Sequence, residues 1–247
     1  MIRNVTVQSG ERTSEAGKPV RNKILLSIPT QEFRAIRSSL EYCNFPSHLI
    51  LHEPTDTLKF VYFLNAGLIS LIVPMEDGQT VEAGVVGNEG AAGVPIAVGL
   101  VRSPTREIVQ ISGDGFRVTA VAMFKILKST LRFQMLLSRY TAVQGMQVAQ
   151  TVACNRLHLI EKRLARWLLM AQDRVDSALI SMTHDFLATM LGTTRPNVTS
   201  AAAILAKHGA IEYVRGALTI VNRRKLKSSA CECYGVIQRF NSELGLR

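Results

Sequence analysis

The sequence predicts an α+β protein in two unlike halves, strands first and helices after. Three observations predict it. Between His48 and about Thr119, short apolar segments (HLILHE, LKFVYFLNAGLISLIVP, QTVEAGVVG, EIVQI, FRVTAV) alternate with turn residues and leave no room for a helix. From Leu131 to Val152 the pattern changes to a 3.5-residue repeat. From Met182 to Val221 two short helical patterns precede two short strands.

Taken in order, residues 1–22 are polar, with Gly10 and Gly17-Lys-Pro19, and read as a flexible leader. Ile24 to Leu40 has helical spacing at Leu25, Leu26, Phe33, Ile36 and Leu40; Pro29 splits it, and Thr30 is placed to cap the second piece. In the strand block, Pro54-Thr-Asp, Asn65-Ala-Gly67, Glu76-Asp-Gly78 and Ser112-Gly-Asp-Gly115 are expected turns. Such a block suits a β-sandwich or small barrel of about 75 residues. A long helix is expected from Phe124. Within it Leu131, Met135, Ser138, Ala142, Gly145, Ala149 and Val152 form a seam of mostly small residues, against which a second copy could pack closely. Asn155 to Arg174 reads as a second amphipathic helix, with Leu157, Ile160, Leu164, Trp167, Leu168 and Ala171 on its apolar stripe.

The segment MTHDFLATMLGTTRPNVTSAAAILAKHGAIEYVRGALTIV carries the most information. A short helix over His184–Leu191 buries Phe186, Leu187, Met190 and Leu191, and Ala188 is small where another helix must cross. Gly192 suits a turn of positive φ. Thr193 and Thr194 offer hydroxyl caps, and Pro196 is tolerated in a first helical turn because no intrahelical bond needs its missing N–H. The second helix, Arg195 to about His208, turns Val198, Ala201, Ala202 and Leu205 inward, leaving Arg195, Asn197, Thr199 and Ser200 near its outer N-terminal end. IEYV and ALTIV, joined at Arg215-Gly216, form a hairpin with a basic tip. The combination is a helix-turn-helix with a wing, suited to DNA; a purely structural helix pair is the plainer alternative.

Charge supports the first reading. The 247 residues carry a formal +10, distributed unevenly. Residues 1–23 hold five basic and two acidic side chains, residues 24–154 ten of each, and residues 155–247 fourteen basic against seven acidic. A basic C-terminal part beside a neutral one suits a polyanion partner for the former alone. Hydrophobic residues at 47% exclude a disordered chain. The best apolar run, Thr57 to Val73, is broken by Lys59 and Asn65 and falls short of the ~20 residues a membrane span needs. With no apolar signal core at the start, a soluble cytoplasmic protein is expected, with no membrane partner. Cys43, Cys154, Cys231 and Cys233 read as reduced thiols. Only Cys231-x-Cys233 comes near a metal pair, and neither a second pair nor a nearby His completes it, so no metal is expected. His48 and His52, four apart on a strand, lie too far apart to share one.

NRLHLIEKRLARWLLMAQDR, THDFLATMLGTTRPNVTSAAAILAKHGAI, EYVRGALTIVNRRKL and CECY resemble the C-terminal half of Crp/Fnr-family transcriptional regulators. The upstream order agrees: leader helix, a β-roll with PTDTLKFVYFLNAGLISL, then a long helix. The similarity covers about residues 24–240. It implies a cyclic-nucleotide-binding-like jelly roll (residues 23–123, after a leader of 1–22), a dimerisation helix (124–154) and a winged helix-turn-helix (155–247). The implied function is sequence-specific transcription regulation by a homodimer on a pseudo-palindromic double-stranded DNA site, without enzymatic activity. RNA polymerase is an open further partner.

The family's recognition helix typically starts Ser/Thr-Arg-Glu and carries a later base-reading Arg. Thr194-Arg195 match, which makes Arg195 the candidate for a bidentate contact to guanine. Pro196 replaces the Glu and Ser200 the later Arg, so a different operator is implied. Thr183, Thr193 and Arg215 are the implied phosphate contacts. In the sensor half, the family's Gly-Glu and Arg-Ser nucleotide cassette is not intact. Gly87, Glu89 and Gly90, with Arg102 or Arg106, are the residues that could form an effector pocket, but Asn88 interrupts the Gly-Glu pair and neither arginine is in register. The effector is therefore unknown, and a cyclic nucleotide is disfavoured. No iron–sulfur cluster is expected, because residues 1–42 hold no Cys. Two rival functions stay open: a cyclic-nucleotide-binding signalling module, and a non-specific DNA-compacting protein.

Overall fold

The computed structural model describes residues 11–175, 177–214 and 217–246. Of the expected flexible leader, residues 1–10 lie outside the described residues, while Arg12, Ser14, Val20 and Asn22 are buried against the fold. The Arg12 guanidinium donates to the carbonyls of Leu25 at 2.6 Å and Ile28 at 2.8 Å and lies over the Phe33 ring. It thereby satisfies acceptors that the short helix α1 (Lys23–Ser27) would leave open at its end. Asn22 caps α1 by accepting from Leu25 N–H, and its amide donates to the carbonyls of Leu64 and Gly90, pinning α1 to the sheet. Pro29 separates α1 from α2 (Thr30–Arg37) as expected, but Pro29 itself holds the cap position and Thr30 is already helical.

The strands form an antiparallel sheet in the order β1-β5-β3-β4, with β2 also paired to β5: β1 Glu41–Phe45, β2 Ile50–His52, β3 Phe60–Pro74, β4 Thr80–Val86 and β5 Arg106–Thr119. Two expected turns, at Asn65 and at Ser112, fall inside the long strands β3 and β5. They are opposed irregularities in one ladder, where Ala66 faces Asp114 and the register shifts. A Cβ on Gly113 would lie 2.0 Å from the Ala66 carbonyl oxygen, so glycine here admits a close backbone approach and a bend, not a chain reversal. Alternate residues of β3 then serve two cores. Val61 and Phe63 join Phe116, Val118 and the helices on one face, while Tyr62, Leu64 and Ile69 join Phe45, Val86 and Val109 on the other.

The helix expected from Phe124 is two helices, α3 (Ala120–Leu127) and α4 (Leu131–Leu157). Ser129 and Thr130 hydroxyls both donate to the Ile126 carbonyl and end α3. Thr130 therefore gives α4 no side-chain cap. Glu32 of α2 supplies it instead, accepting from the N–H groups of Arg132 and Phe133. The 27 residues of α4 span about 40 Å. One face, with Phe133, Leu137, Tyr140 and Val143, is buried on the sheet domain.

The helix ends at His158–Leu159, and the chain continues as α5 (Ile160–Val175), β6 (Leu179–Ser181), α6 (His184–Met190), α7 (Arg195–Lys207), β7 (Ile211–Val214), β8 (Ala217–Ile220), α8 (Arg223–Ser229) and α9 (Cys233–Glu243). A small sheet, β6-β8-β7, closes over α6 and α7. Leu157, expected on the stripe of α5, belongs to the last turn of α4 and is exposed; Leu164, Trp167, Leu168 and Ala171 are buried as expected. The core around α5 also takes in Leu68, Ile72 and Val85, so the C-terminal domain packs directly on the strand domain. No helix among the described residues is long and apolar enough to cross a membrane.

Candidate nucleic-acid interface

The helix pair forms as the sequence dictates. Thr183 caps α6 by accepting from Phe186 N–H at 3.2 Å, and Leu187, Ala188 and Met190 face inward. Gly192 adopts φ +56° in the turn, a conformation that penalises any Cβ. Beyond it α7 buries Val198, Ala201, Ala202 and Leu205 and leaves Thr194, Arg195, Pro196, Asn197, Thr199 and Ser200 exposed. Thr194 holds the cap position of α7 but makes no capping hydrogen bond, contrary to the role expected of its hydroxyl. An uncapped N-terminus presenting a free hydroxyl can receive an anion.

The side chains differ in how freely they can reach outward. Arg195 Nη1 lies 3.3 Å from Asp185 Oδ2, with both side chains about two-thirds exposed, a pairing weak enough to exchange for a stronger acceptor. Asn197 Nδ2 donates to Thr193 Oγ1 at 3.0 Å, so these two sit as a unit. Thr199 Oγ1 donates to the Arg195 carbonyl and is bonded at 2.9 Å to His184 Nδ1, so it is committed inside the helix pair. Ser200 carries no such commitment among the described residues. Arg215, the expected wing contact, lies outside the described residues, while β7 and β8 on either side of it form the expected hairpin.

His184 and Tyr213 belong to this arrangement and were not legible as parts of it. The His184 ring stacks on Tyr213 with centroids 4.1 Å apart, which ties α6 to the hairpin. Burial, and then the nearby Arg195 charge, hold its pKa below the usual histidine value. Its Nε2 is buried without a partner, which also favours the neutral ring. A neutral His184 donating from Nδ1 to Thr199 therefore fixes the start of α7 relative to α6.

The residues expected to form an effector pocket are not gathered into one. Glu89 Oε1 accepts from Arg174 Nε at 2.9 Å and lies 2.7 Å from Nη2, both side chains being buried. Gly87 lies against the Arg174 side chain, and a Cβ on Gly90 would fall 1.8 Å from the Tyr140 hydroxyl oxygen. These three residues thus form the joint between the strand domain, α4 and α5. Arg106 instead pairs with Glu53 at 2.9 Å, and Arg102 is exposed beside Thr57. A second joint centres on Glu82 of β4, which accepts from Ser70 Oγ at 2.5 Å and from Trp167 Nε1 of α5 at 2.8 Å. Burial pushes its carboxyl up to about 7. The adjoining cavity, bounded by Gly84, Gln147, Thr151 and Arg166, measures about 20 Å³, room for a water.

The seam residues of α4 point away from this packing. Leu131, Met135 and Val152 are exposed by 66%, 53% and 65%, Ala142, Gly145 and Ala149 are exposed, and Ser138 is half-buried. A Cβ on Gly145 would meet nothing within 4 Å. The buried and exposed stripes are distinct faces of one helix. The thiols also differ from expectation: Cys231 and Cys233, for which no completing ligands were expected, are met by Cys154 and His158 from the end of α4.

The family model for the Crp-like helix-turn-helix domain matches residues 162–229. Among solved structures, the chain is similar to FixK2 from Bradyrhizobium japonicum, with a TM-score of 0.65 and 14% identity over 78% of this chain and 98% of that one. It is similar to the c-di-GMP responsive global regulator CLP of Xanthomonas campestris, with a TM-score of 0.63 and 11% identity over 78% and 100% of the two chains. A CRP-family transcriptional regulator from Thermus thermophilus gives a TM-score of 0.62 and 18% identity over 76% and 96%. At such identities the likeness is one of fold. No curated protein matches the chain significantly.

Proposed function

We propose, for a chain that carries a Crp-like helix-turn-helix domain within the fold of the Crp/Fnr regulators, that it is a sequence-specific transcription regulator acting on DNA as a homodimer. The observation that carries this reading is the polar N-terminal end of α7. It has an uncapped helix start, an exchangeable Arg195, and Thr194, Asn197 and Ser200 exposed beside it. Arg195 reads a guanine edge in the major groove, and Thr183, Thr193 and Arg215 hold phosphates. The two protomers pair isologously along the exposed seam of α4, which sets two α7 helices about one turn of DNA apart. The strand domain acts on the DNA-binding domain through the Glu89–Arg174 and Glu82–Trp167 joints. No catalytic step is part of the function.

Competition binding tests this reading against non-specific compaction. The full chain is mixed with labelled genomic fragments and a large excess of random-sequence competitor. A specific regulator retains a small set of fragments at physiological salt. A compacting protein releases all of them alike, with a steep salt dependence.

A further inference from the structure

Three buried thiols form a cluster of their own, apart from the apolar cores, at the point where α4 meets the C-terminal domain. Cys154 and His158 are four residues apart, on the last turn of α4 and its cap position, so helical geometry brings both side chains to one side. Cys231 and Cys233 come from the link between α8 and the start of α9, more than 70 residues later. The four candidate ligand atoms all lie within 4.8 Å of one another. Cys154 Sγ is 3.5 Å from Cys231 Sγ, and Cys233 Sγ is 3.6 Å from His158 Nδ1.

These two distances, 3.5 and 3.6 Å, lie close to the edges of a metal tetrahedron, the whole set spanning no more than 4.8 Å. With zinc–sulfur bonds of about 2.3 Å and a zinc–nitrogen bond of about 2.0 Å, the sulfurs lie about 3.8 Å apart and each sulfur about 3.5 Å from the nitrogen. The surroundings are also those of a metal site. His158 turns its other nitrogen, Nε2, to Glu232 Oε1 at 3.3 Å, as carboxylates orient ligating imidazoles. Gln150 Nε2 donates to Cys233 Sγ at 3.1 Å. Arg166 and Arg163 lie close enough for their charges to act on Cys154, and would offset the net negative charge of a three-thiolate zinc centre. A disulfide between Cys154 and Cys231 would employ two of the four groups and leave Cys233 and His158 unexplained; a metal employs all four.

We propose that Cys154, His158, Cys231 and Cys233 bind one Zn²⁺ in a closed Cys₃His site. Four protein ligands leave no open position, so the site is structural. It ties the end of α4 to the α8–α9 link across the break at His158–Leu159, and so fixes how the C-terminal domain sits on the long helix. Zinc replaces the thiol protons, which pass to solvent, and no oxidant or reductant takes part.

The test is the zinc content of the purified full chain, incubated with zinc alone and freed of excess by gel filtration. One zinc per chain is expected, retained by Cys43→Ser and lost by Cys231→Ser, Cys233→Ser and His158→Ala. Because ligand variants can misfold, two further measurements use folded protein. Replacing zinc with Co²⁺ in the native chain should give the visible bands of a tetrahedral site together with thiolate charge transfer. Glu232→Gln, at an exposed side chain, should weaken zinc binding about 10- to 100-fold without altering the circular dichroism. The proposal is overturned by a native chain that holds no stoichiometric zinc and has freely titrating thiols, by a Cys154–Cys231 disulfide in its place, or by zinc content indifferent to the three ligand substitutions. None of these readouts involves DNA, so the site stands or falls separately from the regulatory reading.

Discussion

Arg195 stands at the first helical position of α7, its side chain in an exposed surface pairing with Asp185. If it reads a base, Arg195→Ala should erase discrimination at one base pair in each half-site, a loss of about 1–3 kcal/mol, while leaving affinity for random DNA nearly unchanged. Binding of the variant to single-base operator mutants checks this; equal loss at every position would reassign Arg195 to phosphate. Glu82 supports a prediction about pH. Burial raises its carboxyl from 4.5 to about 7, and Glu107 likewise. The folded protein therefore retains these protons while the unfolded chain has lost them. The share of stability these two groups contribute falls as pH rises between about 4.5 and 7 and levels off above, by up to about 1.4 kcal/mol per pH unit for each group. Glu82→Gln keeps an acceptor for Trp167 and removes that share of the slope. In urea titrations it should exceed the native protein in stability at pH ~8 and approach it at pH ~5, whereas parallel profiles would contradict the assignment. Arg195 was legible in the sequence because its setting is local, a glycine turn and a helix start. Glu82, His184 and His158 were not, because each draws its character from residues far away in the chain.

At the scale of elements, α4 was half legible. Its 3.5-residue repeat identified a face, and that face is the one left exposed. The break before it was missed, since it depends on Ser129 and Thr130 bonding backward and on Glu32 capping from another helix, while the break after it, expected at Asn155, falls at His158–Leu159. The glycines of β3 and β5 misled for a related reason. Glycine marks close approach as well as reversal, and only the partner strand distinguishes the two. The exposed seam yields a further prediction. If two copies pair along it, Ala142→Glu would set like charges against each other at a cost of several kcal/mol and should weaken the dimer at least about 100-fold. Because Ala142 is exposed in the single chain, the helical signal should persist. Light scattering distinguishes a folded monomer from an unchanged dimer, and the latter would move the interface elsewhere.

For the whole molecule, the division of charge told more than its total. Most of the basic surplus belongs to the half that carries the helix-turn-helix, while the charges of residues 24–154 balance. Hidden from the sequence was how firmly the halves engage. Leu68, Ile72 and Val85 share one core with α5, α6 and α7, and the buried Glu89–Arg174 pair crosses the same boundary. Removing one partner of such a pair costs about 3–5 kcal/mol, because the other charge is left buried and unpaired. In the proposed function two copies of this chain read DNA through paired α7 helices. Selection of bound fragments from random-sequence DNA by the full chain, read by sequencing, tests it most directly. The predicted result is enrichment of an inverted repeat whose half-site centres lie about 10–10.5 base pairs apart. Enrichment without a repeat, or none at physiological salt, would contradict it.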